Sequence, residues 1–290
     1  MLKKLSFTII TTVLILAIAL FLITIGSTNE PKDTPASNSS EDPVCFKVIG
    51  LHTITLKDSS KENEFETFLK EVYHPLTNNN FPGMRFIVVK ADRGSKIGEY
   101  MLLGIFDSAK RRDYHFPADG KRSEELEKQM DELGVQKIIN KLYQYIGSSW
   151  ISDYHVVEDV DQSPQMVIQG SVSDPACFGL IGLFNVTLKD SSKADEFETF
   201  LKEVYNPLGK ENFPGMRFIA FKADRGPKIG EYMVLAVFDS AERRDYYYPA
   251  EGKKPEEVEK KEEELGVQKI IDKFRGYARL SWVSDFRVIE

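Results

Sequence analysis

Histidine is missing from this chain beyond residue 155. All four, His52, His74, His115 and His155, fall before residue 158, which excludes a pair of symmetric histidine sites. Cysteine is scarcer still. Cys45 and Cys177 are the only two and have no histidine neighbours, too little for a thiolate metal site. Positive charge is in deficit: the formal net charge is −7, and no Lys/Arg stripe interleaved with aromatics occurs, which argues against a nucleic-acid partner. No nucleophile-elbow pattern is present. KADRG (90–94) lacks the glycine spacing and following helix of a phosphate loop, so it reads as a charged surface hairpin. Nothing in the residues calls for a metal or cofactor.

Apolar residues crowd the start. Leu5 to Thr28 carries no charge, and Phe7 to Ile25 is about 19 residues, the length of a bilayer-spanning helix. Lys3 and Lys4 precede it, while Glu30, Asp33, Glu41 and Asp42 follow, so the rest of the chain should lie outside the cytoplasm. A cleaved signal peptide is the competing reading. Its apolar core is ordinarily shorter and ends in a small-x-small site, which Thr24-Ile25-Gly26 matches poorly. The expectation is a transmembrane anchor or signal over 1–28 and a flexible linker, rich in Ser, Pro, Asn and acid, over 29–43. An exported Cys45–Cys177 disulfide is chemically allowed, but needs Cα atoms within about 7 Å, a distance the sequence does not set.

The rest is one sequence written twice. Residues 45–158 and 177–290 align without gaps at a constant offset of 132, and roughly two-thirds of positions are identical. KADRGSKIGEYM (90–101) faces KADRGPKIGEYM (222–233), and NFPGMRFI recurs at 80–87 and 212–219. Two copies of this size are duplicated domains, 44–158 and 176–290, joined by a linker over 159–175.

Each copy reads as βαββαβ. FKVIGLHTITL (46–56) is a β-branched strand. Asp58, Ser59 and Ser60 can cap a helix whose apolar stripe is Phe65, Phe68, Leu69 and Val72, and Pro75 should end it. Arg85–Lys90 and Tyr100–Phe106 are strands around an ADRGSKIG turn. Ser108 can cap a short helix through Tyr114. Ser123–Tyr145 is helical with a break at Gly134, and 150–158 is the last strand. This is the ferredoxin-like split βαβ unit. Its helix-free sheet face is also apolar and must be covered, which two such sheets achieve by closing a barrel.

On that element order and the tandem duplication, residues 45–290 resemble the dimeric α/β-barrel superfamily. It includes cofactor-free antibiotic-biosynthesis-monooxygenase-like domains and heme-binding chlorite-dismutase-like proteins. The resemblance implies an α+β fold in which two tandem domains pair as a pseudo-dimeric barrel, within one chain or between chains. Chlorite-dismutase-like members hold iron through a histidine of the second domain, where this chain has none.

Alternation along strand three assigns Met101, Leu103 and Ile105 to the helices, and Tyr100, Leu102, Gly104 and Phe106 to the barrel interior. Arg85, Tyr100 and Trp150, with their counterparts Arg217, Tyr232 and Trp282, are then the expected ligand site. An arginine beside aromatic rings can hold a small apolar or anionic ligand. The plainer reading is that these rings fill the barrel while each Arg meets a carboxylate at its rim. RRDYHFP (111–117) and RRDYYYP (243–249) can bind an anion or form a flap, or be a solvated helix turn. The expected function is a membrane-anchored, exported module binding a small ligand or a partner. The alternative is a cofactor-free monooxygenase-like enzyme acting on an aromatic or polyketide-like substrate.

Overall fold

A computed structural model of the chain describes residues 47–78, 83–157 and 178–289. The expected anchor, both linkers and both cysteines lie outside the described residues. Among the described residues, no helix is long and apolar enough to cross a membrane.

Repeat one runs β1 (Val48–Leu56), α1 (Glu62–Phe68), β2 (Met84–Gly94), β3 (Tyr100–Phe106), α2 (Ala109–His115), α3 (Glu124–Glu132), α4 (Val135–Tyr145) and β4 (Ile146–Val156). Repeat two follows as β5 (Leu180–Leu188), α5 (Ala194–Phe200), β6 (Met216–Arg225), β7 (Tyr232–Phe238), α6 (Ala241–Tyr247), α7 (Glu256–Glu264), α8 (Val267–Tyr277) and β8 (Ala278–Val288). The helix starts are where the sequence places acceptors: Asp58 accepts from Ser60 N–H, Ser108 from Arg111 N–H and Ser123 from Leu126 N–H. Gly134, in the left-handed region at φ 60°, separates α3 from α4.

The eight strands close one antiparallel barrel in the order β1-β3-β2-β8-β5-β7-β6-β4. Each half keeps the order of a split βαβ sheet, and the halves meet at two seams. At one, β4 pairs β6 with Val156 opposite Phe221 and Tyr154 opposite Ala223. At the other, β2 pairs β8 with Val89 opposite Val288 and Ala91 opposite Phe286. The chain ends extend the exchange: Val157 N–H donates to Ala220 C=O, and Ile289 N–H to Val88 C=O. This is the architecture of a dimeric α/β barrel with both halves in one chain.

The barrel interior is one apolar cluster drawn from both repeats, including Ile49, Leu103, Ile105, Ile181, Leu235 and Phe286. Separate clusters lie between each sheet and its own helices. Each repeat turns about ten apolar side chains into the barrel, each stabilising by on the order of 2 kcal/mol when buried. Baring that face would cost more than the roughly 5–15 kcal/mol by which a domain is ordinarily stable. The repeats are therefore obligate partners.

Strand three faces the opposite way from the expectation. Met101, Leu103 and Ile105 point into the barrel, while Tyr100, Leu102 and Phe106 pack under the helices with Phe65, Phe68 and Leu69. All seven residues of β3 are buried, so polarity gave no cue to the face. The helical stripe also shifts. A π turn over Leu69–Tyr73 follows α1, and its wider spacing carries the buried position from Val72, which is exposed, to Tyr73. Pro75 does not end the helix: helical structure continues over His74–Asn78. The missing proline N–H is tolerated where the hydrogen-bond register changes from π to α.

Candidate functional site

The six expected ligand residues do not share one face. Arg85 pairs with Ile105 and Arg217 with Val237, which places both arginines on the barrel side of the sheet. Tyr100 and Tyr232 lie on the helix side. The Tyr100 hydroxyl donates to Glu66 at 2.6 Å, and that of Tyr232 to Glu198 at 2.6 Å, with Lys90 and Lys222 bonded to the same carboxylates. Trp150 and Trp282 also lie on the helix side, opposite His52 and Phe184 on the neighbouring strand. Each indole N–H donates to a buried carboxylate, Asp153 or Asp285, at 3.0 Å.

Those carboxylates anchor two matched ionic networks, one at each seam. Asp153 receives Arg225 Nε at 2.7 Å and Nη2 at 2.5 Å, and Arg112 Nε lies 3.8 Å away. Arg112 is itself chelated by Asp224 at 2.7 and 2.8 Å. In the other copy Arg93 holds Asp285 at 2.8 Å, and Arg244 meets Asp92 at 2.8 Å. Gly50 and Gly182 make room: a Cβ on either would stand 3.0 Å from the Asp153 or Asp285 oxygen. Burial raises the Asp153 carboxyl, opposed by the Arg225 charge. KADRG is thus no surface hairpin. Its Asp and Arg cross the seam to grip the other repeat. Arg112 and Arg244, candidates for an anion, already have carboxylate partners.

Among the described residues, most of the buried polar atoms without a hydrogen-bond partner lie in repeat one, with Asn206 Oδ1 in repeat two. His52 sits on the helix side of β1, between Leu102 of β3 and Trp150 of β4. Its Nδ1 is buried without a hydrogen-bond partner, and desolvation lowers its pKa to about 4, so the ring is neutral. The Tyr73 hydroxyl, turned inward by the π turn, is likewise buried without a partner. Burial, with Tyr143 nearby, pushes that hydroxyl far above its ordinary value. Ser148, opposite Ile54 on the same face, carries a further buried hydroxyl, beside that of Tyr143. Repeat two has Phe184 in place of His52 and Leu280 in place of Ser148. At the His52 position repeat two presents a phenyl ring where repeat one has a buried nitrogen without a partner, whereas Leu280 is exposed.

The other histidines have plainer roles. His74 accepts from Val88 N–H at 3.3 Å and also bonds the Ile289 backbone, where the chain end docks. Its counterpart Asn206 donates to Val157 C=O at 3.2 Å, the equivalent junction. Both bond the backbone of a docking chain end, but only His74 also accepts from the adjacent strand, since Asn206 Oδ1 is buried without a partner. His115 is buried against Tyr114 and Phe116. His155 lies opposite Lys222 at a seam. Among the described residues no cluster of metal-ligating side chains occurs.

Sequence reasoning named His52 but missed Tyr73, Ser148 and the seam carboxylates. The signal for Ser148 was the exchange of a polar residue for Leu280 between copies. Tyr73 had none, being Tyr205 in the other repeat.

No protein-family model matches this chain, and no curated protein does. Among solved structures, a candidate monooxygenase from Lactobacillus acidophilus NCFM aligns over 84% of this chain and 97% of its own, with 13% identity and a TM-score of 0.45. An anthrone oxidase-like protein aligns over 87% and 96%, with 14% identity and a TM-score of 0.39. A heme-binding protein from Thermus thermophilus aligns over 84% and 91%, with 8% identity and a TM-score of 0.41. The fold assignment rests on the strand order and register of the chain itself.

Proposed function

We propose that this chain is a small-ligand binding module whose single site is the helix–sheet layer of repeat one. One observation carries the reading: the buried His52 Nδ1 and Tyr73 hydroxyl lack partners where repeat two presents Phe184 to its layer. Leaving such atoms unpaired costs about 1–3 kcal/mol each, a cost that a bound molecule would recover. Tyr100 and Trp150 flank this layer, on the same sheet face as His52. Arg85 and Arg217 lie across the sheet from it. The barrel interior is lined by apolar side chains of both repeats, whereas the helix–sheet layer of repeat one holds the polar atoms without partners, which favours that layer.

The enzymatic alternative, a cofactor-free monooxygenase-like activity on an aromatic or polyketide-like substrate, would need His52 to take a proton. Burial holds its pKa at about 4, which makes it a poor base near neutrality. Binding is therefore the stronger reading. Placement at a membrane, with the repeats outside the cytoplasm, rests on the uncharged segment 5–28 and its flanking charges alone.

The test is to purify the full chain gently from its own cells, denature it and identify what is released by mass spectrometry. The wild type should release one small molecule that His52→Phe does not. Equal release from both, or from neither, would refute the site.

A further inference from the structure

Repeat two carries an ion pair that repeat one lacks. Lys254 Nζ lies 2.6 Å from Glu262, over the ring of Tyr248. The equivalent residues in repeat one are Arg122, Met130 and Phe116. Both copies place a cation there, but repeat one sets a thioether where repeat two has a carboxylate. Arg122 Nη1 rests against the Met130 sulfur, Nε is buried without a hydrogen-bond partner, and among the described residues no carboxylate bonds the group. Burial disfavours its charge, and the Glu127 carboxylate opposes this without bonding it. A half-buried guanidinium in this state needs an anion.

Its place in the fold connects it to the site. Met130 and Leu126 belong to the same core cluster as Tyr73, and Phe116 packs on that cluster against Phe86 and Phe106 at 6.1 and 5.8 Å. Arg122, resting against Met130, therefore stands at the edge of the cluster that holds Tyr73.

Building on the reading of that layer as the site, we propose that its ligand is an amphipathic monoanion. The negative head is held by Arg122, and the apolar body lies under the helices toward Tyr73 and His52. Arg suits a carboxylate in two-point contact, whereas the shorter reach of an internal Glu would close the site, as Glu262 does in repeat two.

The experiment is calorimetric titration of the full chain with 2-naphthoate and with its uncharged analogue 2-naphthol. Naphthoate should bind once per chain and at least tenfold more tightly than naphthol. Met130→Glu, which rebuilds the ion pair of repeat two, should weaken naphthoate at least tenfold and leave naphthol unchanged. Met130→Leu, which keeps the shape without the charge, should leave both unchanged. Naphthol binding as tightly as naphthoate, or naphthoate indifferent to Met130→Glu, would overturn the anion assignment while sparing the site, provided His52→Phe still abolishes binding. Binding of neither probe would remove the site and the anion together.

Discussion

His52 illustrates how one side chain can register what its counterpart does not. Its pKa is lowered from 6.5 to about 4, so the fold holds the neutral form. The unfolded chain takes a proton first as pH falls. The contribution of His52 is therefore whole above pH 6.5 and drains away toward pH 4, by on the order of 3 kcal/mol. His52→Phe, which copies Phe184, should reduce the fall in melting temperature between pH 6.5 and 4 without removing it, since His74 and His115 are lowered to about 4 as well. It should cost less than about 1 kcal/mol at about pH 7.5, where the wild-type ring is already neutral. A melting curve across pH checks both, and an unchanged pH slope would mean that His52 is not buried as described. The sequence made this residue conspicuous only because the second copy lacks histidine. It did not show which sheet face the ring takes, because β1 and β3 are apolar on both sides.

At the scale of elements, caps and breaks were legible and register was not. Asp58, Ser108, Ser123 and Gly134 act locally, through oxygens that meet the first free N–H groups or a φ that only glycine adopts cheaply, and each does what its position suggests. The π turn breaks the 3.6-residue count that nominated Val72, and no local residue announces it. Val72→Ser should therefore change stability by less than about 0.5 kcal/mol in chemical denaturation, whereas Leu69→Ala should cost about 2–5 kcal/mol. Equal costs would restore the regular helix. Glycine in the strands also separates into two kinds. A Cβ on Gly104 would stand 3.0 Å from the Phe86 ring, and repeat two carries Ala236 at that place, so Gly104→Ala should cost about 1 kcal/mol. Gly94 has φ 108° and lies against β8, where a Cβ would come within 2.7 Å of the Ser284 Cα. Gly94→Ala should cost more, about 2–3 kcal/mol, by forcing the seam apart.

For the whole molecule, the duplication and the barrel were both visible as pattern, but the seams were not. Asp92, Arg93, Asp153 and Arg225 read as ordinary surface charge in a chain rich in it, because their partners lie between 72 and 192 residues away. Pairing at that separation has no local signature. Arg225→Ala leaves Asp153 nearly buried and short of its main partner, and should lower stability by about 3 kcal/mol, discounted for the partial exposure of the arginine. Asp153→Ala combined with Arg225→Ala should cost less than the two single changes added together, as a double-mutant cycle would show. The central claim is that one chain closes one barrel and that its two unequal halves leave one ligand layer. Native mass spectrometry of the full chain, extracted from its own cells, tests this most directly. The expected result is a monomer carrying a single small-molecule adduct, absent from His52→Phe. A dimer sharing barrels between chains, two adducts per chain, or an adduct indifferent to that substitution would contradict it.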